Sequence, residues 1–154
     1  MADTDLNAAT LTVTITEALA VGHDNGSTDN LDFAQTYTHT FGSIINTSKR
    51  IFKLPNSNLN KLISFGTTTA DGVFVRADVR YIRVTNLDGT TALQVGLDDG
   101  ASDAAYTSVA ANSSIMYTGV TCEGANDGTT LDNATALKVK GIADHQIEVF
   151  IASV

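Results

Sequence analysis

Hydrophobic and polar residues alternate strictly in several short segments of this chain. Residues 10–16 place leucine, valine and isoleucine at every second position, with threonines between them. A period of two is the spacing of side chains on one face of a β-strand. The pattern predicts a half-buried strand at 10–16. The alternation of aromatic and small polar residues at 33–41 predicts a second strand with an aromatic face.

The middle and the end of the chain carry the clearest strand patterns. Residues 79–86 and 91–97 alternate on either side of Asp88-Gly89, a dipeptide that favours a tight hairpin turn, so a β-hairpin is predicted here. Residues 145–152 are apolar on both faces, which predicts a strand inside a sheet. Further strands are predicted at 48–54, 59–65, 105–109, 114–118 and 135–140.

The composition agrees with an all-β chain. There are 22 threonines, 12 valines and 10 isoleucines but only 3 glutamates and 5 lysines, and 14 aspartates with 12 glycines and 11 asparagines provide turn residues. The length of 154 residues fits one domain, and no repeat or linker divides it. We predict an antiparallel, jelly-roll-like β-sandwich with long polar loops over residues 10–154, preceded by an extended arm at 1–9.

Charge is distributed unevenly along the chain, whose formal net charge is -8. Residues 1–48 carry six acids and no base, residues 49–83 carry seven bases and two acids, and residues 84–154 carry nine acids and two bases. The basic segment at residues 49–83 is either a solvated surface or a docking surface for an acidic partner. The overall negative charge and the lack of a base-stacking motif argue against nucleic acid. The candidate partner-binding residues are Lys49, Arg50, Lys53, Arg76, Arg80 and Arg83.

Residues that carry chemistry do not form a recognisable motif. His23, His39 and His145 lack metal-ligand spacing, and the single Cys122 is far in sequence from all three histidines. No phosphate-binding loop, dinucleotide fingerprint or nucleophile elbow is present. The sequence therefore predicts no enzyme activity, no cofactor and no metal site.

Three loops are rich in aspartate, yet none has the residue order of a calcium-binding loop, so we interpret them as turns. They are residues 24–30, 98–103 and 123–132. The first residues lack the features of a secretory signal, and no apolar run approaches the length of a membrane span, so we expect folding in the cytoplasm and no membrane partner.

Two of the strand segments carry a family resemblance. Residues 79–88, VRYIRVTNLD, and 147–153, IEVFIAS, are similar to the centre and end of small virion structural proteins of tailed bacteriophages, particularly those of marine and cyanobacterial hosts. The resemblance implies a capsid decoration, or cement, protein: a β-sandwich made in the host cytoplasm that binds the head surface and bridges neighbouring capsid subunits. The implied partners are the major capsid protein or other virion proteins, and further copies of the chain in a dimer or trimer. A tail, neck or fibre-associated component and a carbohydrate- or receptor-binding module remain alternatives.

Overall fold

A computed structural model describes residues 8–19, 33–98, 100, 106–118 and 134–154. Within them no helix is long and apolar enough to cross a membrane, and the one helical element is a short 3-10 helix at Arg76–Asp78. Eleven strands make up most of these residues. They are β1 (Ala9–Leu19), β2 (Phe33–Ile44), β3 (Asn46–Lys53), β4 (Asn60–Gly66), β5 (Val73–Val75), β6 (Val79–Asn86), β7 (Leu93–Asp98), β8 (Tyr106–Val109), β9 (Ser114–Thr118), β10 (Ala136–Lys140) and β11 (Gln146–Ser153).

Two sheets pack against each other to form the body of the molecule. One has the strand order β3-β11-β6-β9 and the other β5-β4-β10-β7-β8. All neighbours are antiparallel except β4 and β5. The predicted all-β sandwich is confirmed. The core between the sheets includes Ile63, Phe65, Ile82, Val84, Leu93, Val95, Leu137, Val139, Ile147, Val149 and Ile151.

The first two strands form a two-stranded ribbon outside both sheets. Among the described strands, β1 and β2 pair only with each other. The base of the ribbon packs against the outer face of the four-stranded sheet, where Phe41 and Ile44 are buried with Tyr81 and Ala152. Residues 34–40 of β2 are exposed, so the distal half of the ribbon projects from the body. The predicted domain at 10–154 thus consists of a sandwich and a ribbon. β1 begins at Ala9, inside the predicted arm at 1–9, and most of that arm lies outside the described residues.

The predicted hairpin between residues 79 and 97 is wrong. Both strands exist, but β6 belongs to the four-stranded sheet and β7 to the five-stranded sheet. The chain between them forms its own turn, in which the carboxylate of Asp88 accepts hydrogen bonds from the backbone N–H groups of Thr90 and Thr91 at 2.8 Å each. β6 and β7 each have one buried face. In the two packed sheets these faces meet across the core, whereas a hairpin would place the two strands side by side in one sheet.

A buried polar pair ties this crossover to the start of β11. Nε2 of His145 lies 2.6 Å from Oδ1 of Asn86, and the Asn86 amide nitrogen donates to three backbone carbonyls. Because an amide oxygen only accepts, Nε2 carries the proton in this hydrogen bond. Both side chains are essentially inaccessible to solvent. His145 is therefore a packed residue of the sandwich.

β1 and β2 each continue three residues past their predicted ends, and the other predicted strands are present within one or two residues of their expected ends. β11 is flanked by β3 and β6, which confirms its prediction as an internal strand. Pro55 follows β3, an edge strand, where the missing N–H of proline is tolerated. The sequence pattern missed β5, because three residues are too few to show a period.

Candidate functional site

A cleft of about 420 Å³ lies between the base of the ribbon and the outer face of the four-stranded sheet. One wall is the backbone and side chains of β1, and the floor is formed by β3, β11 and β6. The residues that line it are Leu11, Thr12, Val13, Thr14, Lys49, Tyr81, Arg83 and Phe150.

Strand alternation and register bring the floor residues together. In β11, Ile147, Val149 and Ile151 are buried in the core, so Glu148 and Phe150 point to the outer face. Phe150 lies directly opposite Lys49 on β3 and Arg83 on β6. The three strands therefore place a cation on each side of one aromatic ring.

One carboxylate lies between the two cations. Oε2 of Glu148 is 3.0 Å from Nζ of Lys49, and its Oε1 is 2.7 Å from Nη2 of Arg83. The ammonium group of Lys49 and, to a lesser degree, the guanidinium of Arg83 hold the pKa of Glu148 below its usual range, against the effect of burial. With two cations and one anion the group carries a net positive charge, and Lys49 is 62% exposed.

Aromatic contacts fix the positions of the floor side chains. The ring of Tyr81 lies 5.8 Å from that of Phe150 and 6.0 Å from that of Phe41, both centroid to centroid. The guanidinium carbon of Arg83 lies 5.9 Å from the centroid of Phe150, within the range of a cation–π contact. Burial raises the pKa of the Tyr81 phenol, and the charge of Arg83 opposes this shift.

This arrangement is suited to binding an anionic group. A partly exposed ammonium and a guanidinium held by an ion pair and an aromatic ring can attract and orient a carboxylate, and the apolar residues of β1 can contact the chain that carries it. Among the described residues, no three His, Cys, Asp or Glu side chains come together to hold a metal ion. The cleft is therefore a candidate docking site for an acidic segment.

The structure brings two of the six predicted partner-binding residues into this cleft, Lys49 and Arg83. Lys53 lies on the same face of β3 but pairs with Asp144 at 2.9 Å. Arg50 alternates to the other side of β3 and lines a separate cleft of about 380 Å³ near β5. The other two lie around the 3-10 helix: Arg76 begins it, and Arg80 donates to the carbonyl of Ala77.

Sequence reasoning missed the other half of the cleft. Glu148, Phe150 and the ribbon residues were interpreted as strand residues without a further role. The signal available for Glu148 was its position as the single acid in an otherwise uncharged strand. No local pattern could show that residues 11–14 lie against β11, because the two segments are more than 130 residues apart in sequence.

A second ion pair lies on the outer face of the five-stranded sheet. The buried carboxylate of Asp98 accepts from Nζ of Lys138 at 2.7 Å, from the Gly100 N–H at 2.8 Å and from the Tyr106 hydroxyl at 3.3 Å. Lys138 is the main cause that lowers the pKa of Asp98. In the described part of the predicted loop 98–103, Asp98 therefore stabilises the fold. The loops 24–30 and 123–132, with His23 and Cys122, lie outside the described residues. The ring of His39 packs against that of Phe41 in a tilted arrangement, with the centroids 4.4 Å apart.

We expect these two ion pairs to make stability depend on pH in the acidic range. The folded protein lowers the pKa of Asp98 and of Glu148, so their stabilising effect is complete above the pKa of about 4 of an unfolded carboxyl and is lost as pH falls through the lower folded values. The Asp98→Asn variant should melt roughly 2–4 °C below the wild type at pH 7, and this difference should shrink towards pH 3. Thermal melts at pH 7, 5 and 3 test this, and a difference that does not change with pH would contradict it.

Neither a family model, nor a curated protein, nor a solved structure matches this chain. The cleft, the ribbon and the order of the strands are therefore the features that bear on the function of this chain.

Proposed function

We propose that this protein is a non-enzymatic virion structural protein of a tailed bacteriophage, a capsid decoration protein that binds the head surface and bridges neighbouring capsid subunits. The observation that carries the proposal is the net-positive cleft beneath an uncharged wall of the ribbon. It offers an acidic segment of a capsid subunit both charge complementarity and apolar contact.

The strand order supports the finer fold assignment and this class of protein. When β5 is set aside, the eight strands from β3 to β11 lie in two sheets with the orders first-eighth-third-sixth and second-seventh-fourth-fifth. This is the order produced by wrapping four antiparallel strand pairs into a jelly roll. Jelly rolls are common in viral capsid proteins and in lectins. A lectin would need a sugar-stacking platform, and this chain has no tryptophan and four tyrosines.

Docking of this kind would stabilise a shell by mass action. A protein that binds only the assembled arrangement of subunits shifts the equilibrium towards that arrangement. A single cleft is a small contact, but a shell presents the same acidic segment many times. Copies that touch one another as well as the shell bind more tightly than isolated ones.

A matched pair of charge reversals tests the role of the cleft. Lys49 and Lys53 lie on the same face of β3 and are 62% and 63% exposed, but only Lys49 lines the cleft. The Lys49→Glu variant should bind particles stripped of the native protein about tenfold more weakly, whereas Lys53→Glu should stay within about twofold of the wild type. Binding is measured by co-sedimentation at low and moderate salt, and the wild-type affinity should fall with salt.

The controls separate the cleft from the wider proposal. Equal loss for both variants would show a diffuse charge effect, and no loss for either would exclude the cleft as the docking site. Localisation of the protein in purified particles tests the function itself. Many copies over the head support a decoration protein, and a few copies at the tail would overturn that assignment.

A further inference from the structure

The edge strands of the sandwich are protected against pairing with another chain. β5, β8 and β9 are three, four and five residues long, and β3 carries Lys49, Arg50 and Lys53 within eight residues. Short strands and charged side chains are the usual means by which proteins block edge-to-edge association. The four edges of the two packed sheets therefore present little surface on which a further strand could add.

The second strand of the ribbon lacks this protection. β1 and β2 are 11 and 12 residues long, with no lysine, arginine or proline, and β2 has no acidic residue either. Residues 34–40 of β2 are all exposed, and β2 pairs on one side with β1. A two-stranded ribbon is marginally stable alone in water, and the body of this chain covers only its base. Among the strand edges of the described residues, the free edge of β2 is therefore the one that is both long and without charged residues.

We propose that this edge binds the same edge of a second copy, so that two ribbons form one four-stranded antiparallel sheet with the order β1-β2-β2-β1. The pattern of β2 is self-complementary: Tyr37 and His39 lie on one face and Thr36, Thr38 and Thr40 on the other. In an antiparallel pair about a two-fold axis in this segment, odd-numbered residues can lie opposite odd-numbered ones and even-numbered opposite even-numbered. Each face of the joined sheet then continues with the same kind of side chain.

Charge does not oppose a second copy at this edge, and it disfavours a third. Two whole chains, each with a net charge of -8, repel one another, but the β2 edges meet without any like charge, at the part of the molecule that projects from the body. The outer strands of the joined sheet would be β1, which carries Glu17. Like charges on an exposed edge oppose the addition of a third copy.

The interface would be small. Seven residues of β2 extend about 24 Å, and pairing along this length buries less surface than a standard stable interface. We therefore expect a dimer with a dissociation constant on the order of micromolar in solution. Where many copies are held near one another, a larger fraction of them should be paired. This inference does not depend on the docking partner of the cleft.

Lysines placed on either strand of the ribbon distinguish this contact from the alternatives. Thr36 and Thr38 of β2 lie directly opposite Thr16 and Thr14 of β1 on the same face. A double variant with Thr36→Lys and Thr38→Lys should raise the dimer dissociation constant about tenfold or more, because like charges meet across the two-fold axis. The variant with Thr16→Lys and Ala18→Lys, on the same face of β1 and outside the cleft, adds the same charge to the strand outside the contact and should dimerise like the wild type.

Sedimentation equilibrium of the full chain measures all three proteins, with far-ultraviolet circular dichroism as the check on folding. A double variant of β2 with Thr36→Glu and Thr38→Glu provides a rescue: mixed with the lysine variant, it should restore association, which a misfolded ribbon would not. A wild type that stays monomeric to several hundred micromolar would overturn the proposal. So would equal effects of the β1 and β2 variants, or dissociation caused by the β1 variant alone.

Discussion

Replacement of Asn86 by alanine should lower the free energy of unfolding by about 3–5 kcal/mol. The side chain is fully buried, its amide nitrogen donates to the carbonyls of Thr91, Val109 and Ala110, and its oxygen accepts from Asp88 N–H and from His145. Alanine would leave several of these groups buried without a partner and would also create a cavity. Each unsatisfied buried group costs about 1–3 kcal/mol.

Urea unfolding of Asn86→Ala and of a matched asparagine variant measures this effect. Asn60 also donates through its amide nitrogen to two backbone carbonyls, but those belong to an exposed loop. We expect Asn60→Ala to cost about 1 kcal/mol or less. Costs for the two variants within about 1 kcal/mol of each other would show that the buried network does not hold the crossover between the sheets.

Replacement of Phe41 by alanine should release the ribbon while leaving the sandwich folded. Phe41 is 7% exposed and packs between His39 and Tyr81, where the described part of the body covers the base of the ribbon. Truncating a buried phenylalanine costs about 3–5 kcal/mol. A two-stranded ribbon has less stability than this of its own. The core between the sheets does not include Phe41, so the global transition should change little.

Hydrogen exchange resolved by segment tests the release. Amide protection in β1 and β2 should fall by about 100-fold or more, while β10 and β11 keep theirs. The matched variant Thr40→Ala changes the neighbouring residue on the opposite, exposed face of the ribbon and should leave protection in place. An unchanged ribbon in Phe41→Ala, or a parallel loss in β10 and β11, would show that the ribbon and the sandwich are not coupled as described.

The elements of the fold could be predicted because each is encoded by local alternation. Segments such as 10–16 and 79–86 show a period of two, which depends only on the geometry of a strand, and the structure contains a strand at each. The interior position of β11 was also predictable, since apolar residues on both of its faces indicate cover on both sides. β5 escaped because its three residues contain no repeat.

The partners of these strands could not be read from the same pattern. Asp88-Gly89 favours a hairpin locally, yet β6 and β7 separate into different sheets, because the burial of two apolar faces across a core outweighs the preference of a turn. The charge distribution drew attention to residues 49–83. It did not show that only Lys49 and Arg83 of these residues line the cleft, because which strand is an edge and what lies over it are properties of the assembled sheet.

The sequence by itself determined that this protein is an all-β chain with short strands, polar turns and a basic segment at residues 49–83, because these properties follow from residue type and from neighbours a few positions away. Only the tertiary structure decided that the first two strands leave the sandwich as a ribbon and that residues 11–14, Lys49, Arg83 and Phe150 line one cleft. Some of these contacts join segments that are more than 130 residues apart in sequence. They form because burying apolar faces between sheets lowers the free energy of the whole chain.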